Sequence, residues 1–477
     1  MTPYAIATLS AYNLVLAGMG SALMFALRPE LALRDFFRLA GVSYLLGVAA
    51  AMVTFSIVIV LGIPFGWPSM VVCVLLVAGA GTFAGLRRRS SGRPGRALAL
   101  TLPSACVFAL AVVLLEAVFR KGRLQGLIEF DGWDSWGPKV KALYFFGRLQ
   151  PHFLADLPGG SYPPGLPALL SGTLHAMGSP DVVTVHLQFW FLGLGFVGAV
   201  LGLLVTRVEP LLIAPFVLLV FVMPDIRSRS VDMYGDLTMG YAVAIAALLL
   251  ALWVVDRSDW RVVAAAVICA GAVLTKREAI VLVACVVIAS LLASADWRRP
   301  AAVLGASLAA WVVWQVWLSA HHLPGNGPSG GLHFLRDWGR GWDALDTVLD
   351  NLFTFDLWLV SVTIALVAIG LCVFVRSWRL VVYAGVLTVL LVLGCSAILW
   401  SDPSLQLTDI NVVSRLVGSV ALCIVALTPL LLQHAWGEPR RWRIAVWHRV
   451  LAWGAIAAAA IAYPVVLLAQ GGAGFPG

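Results

Sequence analysis

The chain has 477 residues, 61% hydrophobic and 12% charged, with a formal net charge of +8. Its mean hydropathy of +0.94 excludes an ordinary soluble domain. Apolar runs of membrane-spanning length recur along nearly the whole chain, so the fold class is an all-α polytopic membrane protein. The ~10-residue alternating segments of an outer-membrane barrel are absent, and the surplus arginines lie in short loops between spans, which argues against a nucleic-acid partner.

Apolar length and loop charge together predict about 14 crossings. The first, at 4–27, has no Lys or Arg before it and no small-residue cleavage pattern after it, and reads as a retained span rather than a signal peptide. Spans at 39–62 and 69–86 follow. The next connector carries Arg87, Arg88, Arg89, Arg93 and Arg96 with no acid, and the positive-inside rule places it in the cytoplasm. A span at 97–118 leads into a long loop at 119–181. Further spans are expected at 182–206, 211–223, 237–255, 262–274, 279–294, 301–320, 356–375, 380–400, 415–434 and 450–469. Counting outward from the arginine loop puts Arg376, Arg379 and the segment with Arg440, Arg441, Arg443 and Arg449 on the cytoplasmic side too. Loops 321–352 and 401–414, which carry Asp337, Asp343, Asp346, Asp350, Asp402 and Asp409, then fall outside.

With neither an internal repeat nor a large soluble domain, chemistry is expected on the outer loops 119–181, 224–236, 321–355 and 401–414. The 7 cysteines all fall in apolar runs without CxxC spacing, so structural disulfides and a zinc site are not expected. The 8 histidines also lack ligand spacing, His321 and His322 being neighbours in a loop.

The long outer loop opens on Glu129-Phe130-Asp131-Gly132-Trp133-Asp134-Ser135-Trp136-Gly137-Pro138-Lys139-Val140-Lys141-Ala142-Leu143-Tyr144. Trp133, Trp136, Val140 and Leu143 recur at helical spacing, as an interfacial amphipathic helix with snorkelling lysines would have them. That reading leaves Asp131 and Asp134 unexplained, because carboxylates near lipid are costly unless paired or hydrated. The loop's cations, among them Arg120, Lys121, Arg123 and Arg148, break the positive-inside pattern and suggest an anionic ligand such as a phosphate.

Downstream, Ser161-Tyr162-Pro163-Pro164-Gly165-Leu166-Pro167 is expected to stay out of regular helix until after Pro167. It reads either as a rigid turn into an interfacial helix or as a wall of the site with Tyr162 facing substrate. Asp225, Arg227, Arg229, Asp232, Tyr234 and Asp236 crowd the next outer loop, where Asp236 could equally serve the N-terminus of the following span. Thr275-Lys276-Arg277-Glu278 is the polar tip of a two-span hairpin; Lys276 and Arg277 could hold a phosphate or pyrophosphate with Glu278 orienting them. Arg415, at the head of a late span, reads by itself as an interface anchor.

In this order the pieces resemble the GT-C superfamily of membrane glycosyltransferases that use polyprenyl-phosphate-linked sugars, and are most similar to bacterial members related to the lipid A aminoarabinose transferase and protein mannosyltransferases. Phe130 to Tyr144 follows that group's Trp-Asp-Ala-Trp-x-x-Trp-x-x-Lys-Ala-Lys-x-x-Tyr pattern. Tyr162-Pro163-Pro164-Gly165-Leu166-Pro167 is similar to its Tyr-Pro-Pro-Leu-x-Pro element with Gly165 added. Tyr234-Gly235-Asp236 resembles its Tyr-Ala-Asp, and Lys276-Arg277-Glu278-Ala279 its Lys-x-Glu-Gly turn. Asp134 is an extra acid, and no Asp-Glu doublet of the protein mannosyltransferase kind is found. The resemblance covers 97–434 as a catalytic core, with 1–96 as three additional spans and 435–477 as a basic cytoplasmic loop and final span.

The resemblance implies an enzyme of the cytoplasmic membrane whose site faces outside. It would transfer a sugar from a polyprenyl-phosphate donor, with inversion, to a glycan, lipid or protein acceptor. Asp131 is the expected general base, with Asp134 second choice or orienting partner. Lys139, Lys141, Lys276, Arg277 and Arg415 are expected on the donor phosphate, and Trp133, Trp136, Tyr162, Tyr234 and Glu278 around the substrate. Asp131 and Asp236 could hold a divalent cation, magnesium or manganese. A transporter or flippase of lipid-linked sugars, or a lipid-pyrophosphate-dependent polymerase or ligase, is the alternative. The transporter predicts ionisable groups at mid-membrane, which this chain largely lacks.

Overall fold

A computed structural model describes residues 2–88, 102–125, 131–323, 337–402 and 405–436. Every described regular element is helical. Of the expected spans, 450–469 lies outside the described residues, as do the start of the 97–118 span, Phe130 and the arginines from Arg440 to Arg449.

The first helices are α1 (Pro3–Leu27), the short α2 (Leu33–Arg38), α3 (Ala40–Val60), α4 (Trp67–Arg88) and α5 (Leu102–Gln125). A π-turn at Gly132–Trp136 runs into α6 (Gly137–Phe146), followed by α7 (Pro151–Ala155), α8 (Gly165–Met177) and α9 (Val182–Leu204). Then come α10 (Pro210–Val222), α11 (Pro224–Arg229), α12 (Gly235–Asp256), α13 (Asp259–Val273), α14 (Ala279–Ser294) and α15 (Arg298–Ala320). The last are α16 (Trp338–Leu352), α17 (Phe355–Trp358), α18 (Ser361–Phe374), α19 (Trp378–Ser401) and α20 (Ile410–Trp436). Among the described residues, 8 helices are long and apolar enough to cross a membrane: α1, α3, α4, α9, α12, α15, α19 and α20. The apolar helices α10, α14 and α18 are shorter. The described parts of the expected spans are helical, but 356–375 is broken at Leu359 (φ 55°) into α17 and α18, and 211–223, 262–274 and 279–294 lie on helices shorter than the 8.

These helices are apolar all round, so position in the bundle rather than amphipathicity decides what they bury. α12 and α20 lie at the centre, packed on each other, while α1, α4 and α15 line the edge. The edge helices turn Leu75, Leu76, Phe83 and Val316 outward, as expected for a lipid-facing surface. α1 and α3 pack on α8 and α9, and α3 also on α13, so the N-terminal helices join the rest of the bundle.

Two expectations fail locally. α8 starts at Gly165, not after Pro167, because proline in the first helical turn forfeits only an N–H that has no intrahelical acceptor. Nor is α8 interfacial: nearly all of it is buried against α1, α3 and α6. An amphipathic helix does lie in loop 321–355, as α16, which buries Ala344, Val348 and Leu352 and exposes Trp338 and Trp342.

The connectors segregate to two ends. At one end Phe65 N–H donates to Gly147 O (2.7 Å), Gly165 N–H to Leu274 O (2.9 Å), and Arg340 to the carbonyls of Leu399 and Asp402 (both 3.0 Å). At the other, Arg207 pairs with Asp256, Arg299 with Asp259, and Arg257 donates to Ser294 O (2.7 Å). These are the two sets of loops that the span count assigned to opposite faces.

Candidate functional site

The opening segment begins with Asp131 and passes through the π-turn, whose wider winding carries Gly137 N–H back to Gly132 O. This shifts the phase of the side chains. Trp136, Val140 and Leu143 share a buried face, but Trp133 is rotated off it and is 55% exposed, so the expected four-residue apolar face loses its first member. Pro138 enters at the head of α6, and Gly147 ends it in the left-handed region (φ 64°).

Lys139 points inward. Its Nζ donates to the carbonyls of Gly159 (2.5 Å) and Tyr162 (3.2 Å) and so fastens the 159–162 loop to α6. Burial pulls its pKa down to about 7. The Trp136 ring stacks on Tyr162 at 5.3 Å and sits against Gly235, where a Cβ would come within 2.8 Å of the indole. Trp314 Nε1 donates to Ser161 O (2.8 Å) on the same loop.

In front of this stack lies a cavity of about 960 Å³ at one end of the bundle. Asp131, Tyr162, Tyr234, Asp236, Lys276, Glu278 and Arg415 all line it, although they come from parts of the sequence far apart. Arg415 is the junction. Its guanidinium donates to Asp236 Oδ2 from Nε (3.0 Å) and Nη2 (2.9 Å), and to Asp131 Oδ1 from Nη1 (3.2 Å), with Nη2 also on Asp131 Oδ2. Lys276 Nζ donates to the other oxygen of Asp236 at 2.6 Å. Asp131, Arg415, Asp236 and Lys276 thus form one alternating chain of charge. The Arg415 guanidinium lies over the Tyr234 ring at 4.6 Å, and Lys276 Nζ faces the Tyr162 ring at 5.6 Å.

Burial weighs against the Lys276 charge, yet the Asp236 and Glu278 carboxylates hold its pKa above the ordinary lysine value. Burial pushes the Tyr162 phenol up to about 12, reinforced by Glu278. Glu278 Oε1 accepts from Arg277 Nε (3.3 Å), whereas its Oε2 is buried without a hydrogen-bond partner. Asp225, paired with Arg229 at 2.8 Å, lies at the same wall with its pKa raised by burial.

Some expected residues stand elsewhere. Arg277 pairs with Asp402 and is not in the cavity wall, and neither is Asp134. Lys141 lies 5.6 Å from the ring of the exposed Trp133, and Lys139 is committed to carbonyls. Of the cations expected on a phosphate, Lys276 and Arg415 are the two that reach the cavity. Sequence reasoning noticed the charge density of 225–236 but missed Asp225, Arg229 and Asp232 as wall residues, and also missed Ser135, Asp409 and Asn411.

The metal expectation does not fit this geometry. Asp131 and Asp236 close on the Arg415 guanidinium, which takes the position a divalent ion would need between them. Among the described residues no group of three His, Cys, Asp or Glu could hold a metal. Comparisons with family models, curated proteins and solved structures gave no match to this chain.

Proposed function

We propose that this protein is a membrane glycosyltransferase that moves a sugar from a polyprenyl-phosphate donor to a cell-envelope acceptor. The cavity would open at the outer face of the cytoplasmic membrane. The reading is carried by one observation: Asp131, Tyr162, Tyr234, Asp236, Lys276 and Glu278, drawn from each segment that resembles a GT-C motif, line one cavity, where Arg415 grips Asp131 and Asp236 together. Nothing in that convergence follows from their spacing in the chain. The arginine-rich connectors at the opposite end support this orientation.

Carboxylates outnumber cations at the wall, so a donor phosphate gains Arg415 and Lys276 only by displacing a carboxylate from them. Displacement frees Asp131 from the guanidinium and turns a salt-bridged carboxylate into an available base. The acceptor hydroxyl oxygen then bonds to the anomeric carbon and its proton passes to Asp131. The bond from that carbon to the phosphate oxygen breaks, and lipid phosphate leaves as a dianion beside Arg415 and Lys276. The anomeric centre inverts.

Purified protein supplied with a polyprenyl-phosphate sugar tests this. Asp131→Asn should lower turnover by roughly 10²–10⁴-fold, the usual weight of a general base, while the variant stays folded. Full activity in that variant would sink the assignment.

A further inference from the structure

At the opposite end of the bundle a second cavity, of about 230 Å³, is walled by Arg28, Arg38, Arg207, Arg261 and Trp260. Their acids are shared: Arg28 pairs with Glu30, Arg38 with Asp35, and both Arg207 and Arg261 with Asp256. Four guanidiniums on three carboxylates leave positive charge in surplus. Two donors at this wall are buried with no acceptor, Arg261 Nε and Trp260 Nε1, and Arg261 is only 4% exposed. The surplus of guanidinium over carboxylate suits this wall to an anion with several acceptor oxygens.

The cavity is not isolated. Arg38 also lines an apolar groove of about 410 Å³ that runs between α1, α3, α5 and α9. Its neighbours divide between the two spaces, Leu39 and Leu203 facing the cavity, Ala40 and Gly202 the groove. Backbones approach closely along the groove at glycines: a Cβ on Gly41 of α3 would fall 2.2 Å from Ala199 N of α9, and one on Gly202 of α9 would fall 2.1 Å from Arg38 O of α2. The exposed Leu14 and Phe37 form its rim. A basic pocket at a helix-bundle end, adjoining an apolar groove along the spans at Arg38, matches the two halves of one molecule.

We propose that this is a binding site for an anionic glycerophospholipid of the leaflet at this end. Its phosphate sits among Arg28, Arg38, Arg207 and Arg261, and one acyl chain lies in the groove. The site is independent of the sugar-transfer reading.

Native mass spectrometry of the full chain from mixed micelles of phosphatidylglycerol and phosphatidylcholine with identical chains tests it. One phosphatidylglycerol should be retained in preference to phosphatidylcholine. The double variant Arg28→Gln, Arg207→Gln alters only the partly exposed arginines and should weaken retention roughly thirtyfold. Gly198→Leu fills the groove from a position where a Cβ meets nothing closer than 3.4 Å. It should abolish retention of the lipid and leave binding of inorganic phosphate intact. Equal retention of the two lipids, or retention unchanged in both variants, would overturn the proposal. So would retention of phosphatidylglycerol unchanged by Gly198→Leu alone, since that marks a phosphate site with no use for the chain.

Discussion

Asp236 is 3% exposed and answers two cations at once, Lys276 through Oδ1 and Arg415 through Oδ2. Removing one partner of a buried pair leaves charge stranded, at a cost of about 3–5 kcal/mol. Asp236→Asn strands Lys276 and leaves Arg415 with Asp131 alone, whereas Lys276→Met leaves Asp236 still held by Arg415. Thermal unfolding in detergent should therefore show the larger loss in Asp236→Asn, and an equal loss in both would contradict the alternating chain. Lys139 makes a separate prediction through pH. Its folded pKa of about 7 lies below the ordinary 10.5, so between those values the unfolded chain holds a proton that the folded protein has released. Stability must then rise with pH through that window, with the burial penalty fully present below it. Subtracting the pH profile of Lys139→Met from that of wild type should expose this rise, and a flat difference would refute it. At this scale the sequence marked Asp131, Asp236, Lys276 and Arg415 because charge is rare in an apolar chain. It could not tell Lys139 from Lys276, since which lysine meets a carboxylate and which meets carbonyls is decided by packing between distant segments.

Gly165, which interrupts the resemblance to the Tyr-Pro-Pro-Leu-x-Pro element, explains itself at the level of the elements. Its N–H donates to Leu274 O at 2.9 Å, and an added Cβ would lie 2.5 Å from that oxygen. Leu274 immediately precedes the turn that carries Lys276 and Glu278. Gly165→Ala must push α8 and that turn apart, a strain of about 1–3 kcal/mol if overpacking in well-packed cores is the guide. The expected outcome is a lower melting temperature together with turnover reduced beyond the fraction unfolded, because Lys276 is displaced from the cavity. Loss of stability with full specific activity would show that the turn tolerates the shift. The helices themselves were legible in the sequence: apolar runs of spanning length can form little else when lipid offers no hydrogen-bond partners. The π-turn at Gly132–Trp136 and the burial of α8 were not. One depends on a change of winding that residue spacing conceals, the other on neighbours that an apolar run does not name.

The separation of charge to two ends is a property of the whole bundle, and it makes the orientation testable without any knowledge of substrate. The carboxylate-lined cavity lies at the end where Arg340 and Asp402 meet, and the surplus of arginine lies at the other, with Arg207, Arg257 and Arg299. Positive loops are retained in the cytoplasm during insertion, so the cavity end should face outward. Among the native cysteines Cys106 is exposed, on the apolar α5, and the other six are buried, so a Cys106→Ala background leaves little native thiol to label. In that background Asp343→Cys, on the exposed side of α16, should react with a membrane-impermeant maleimide in intact cells. Arg299→Cys should react only after permeabilisation. The reverse pattern would turn the molecule over, bring the cavity into the cytoplasm and remove the reason for expecting a lipid-phosphate donor rather than a nucleotide sugar. Labelling of both positions in intact cells would break the alternation of loops between two ends, and with it the span count that brought Asp131, Asp236, Lys276 and Arg415 to one face.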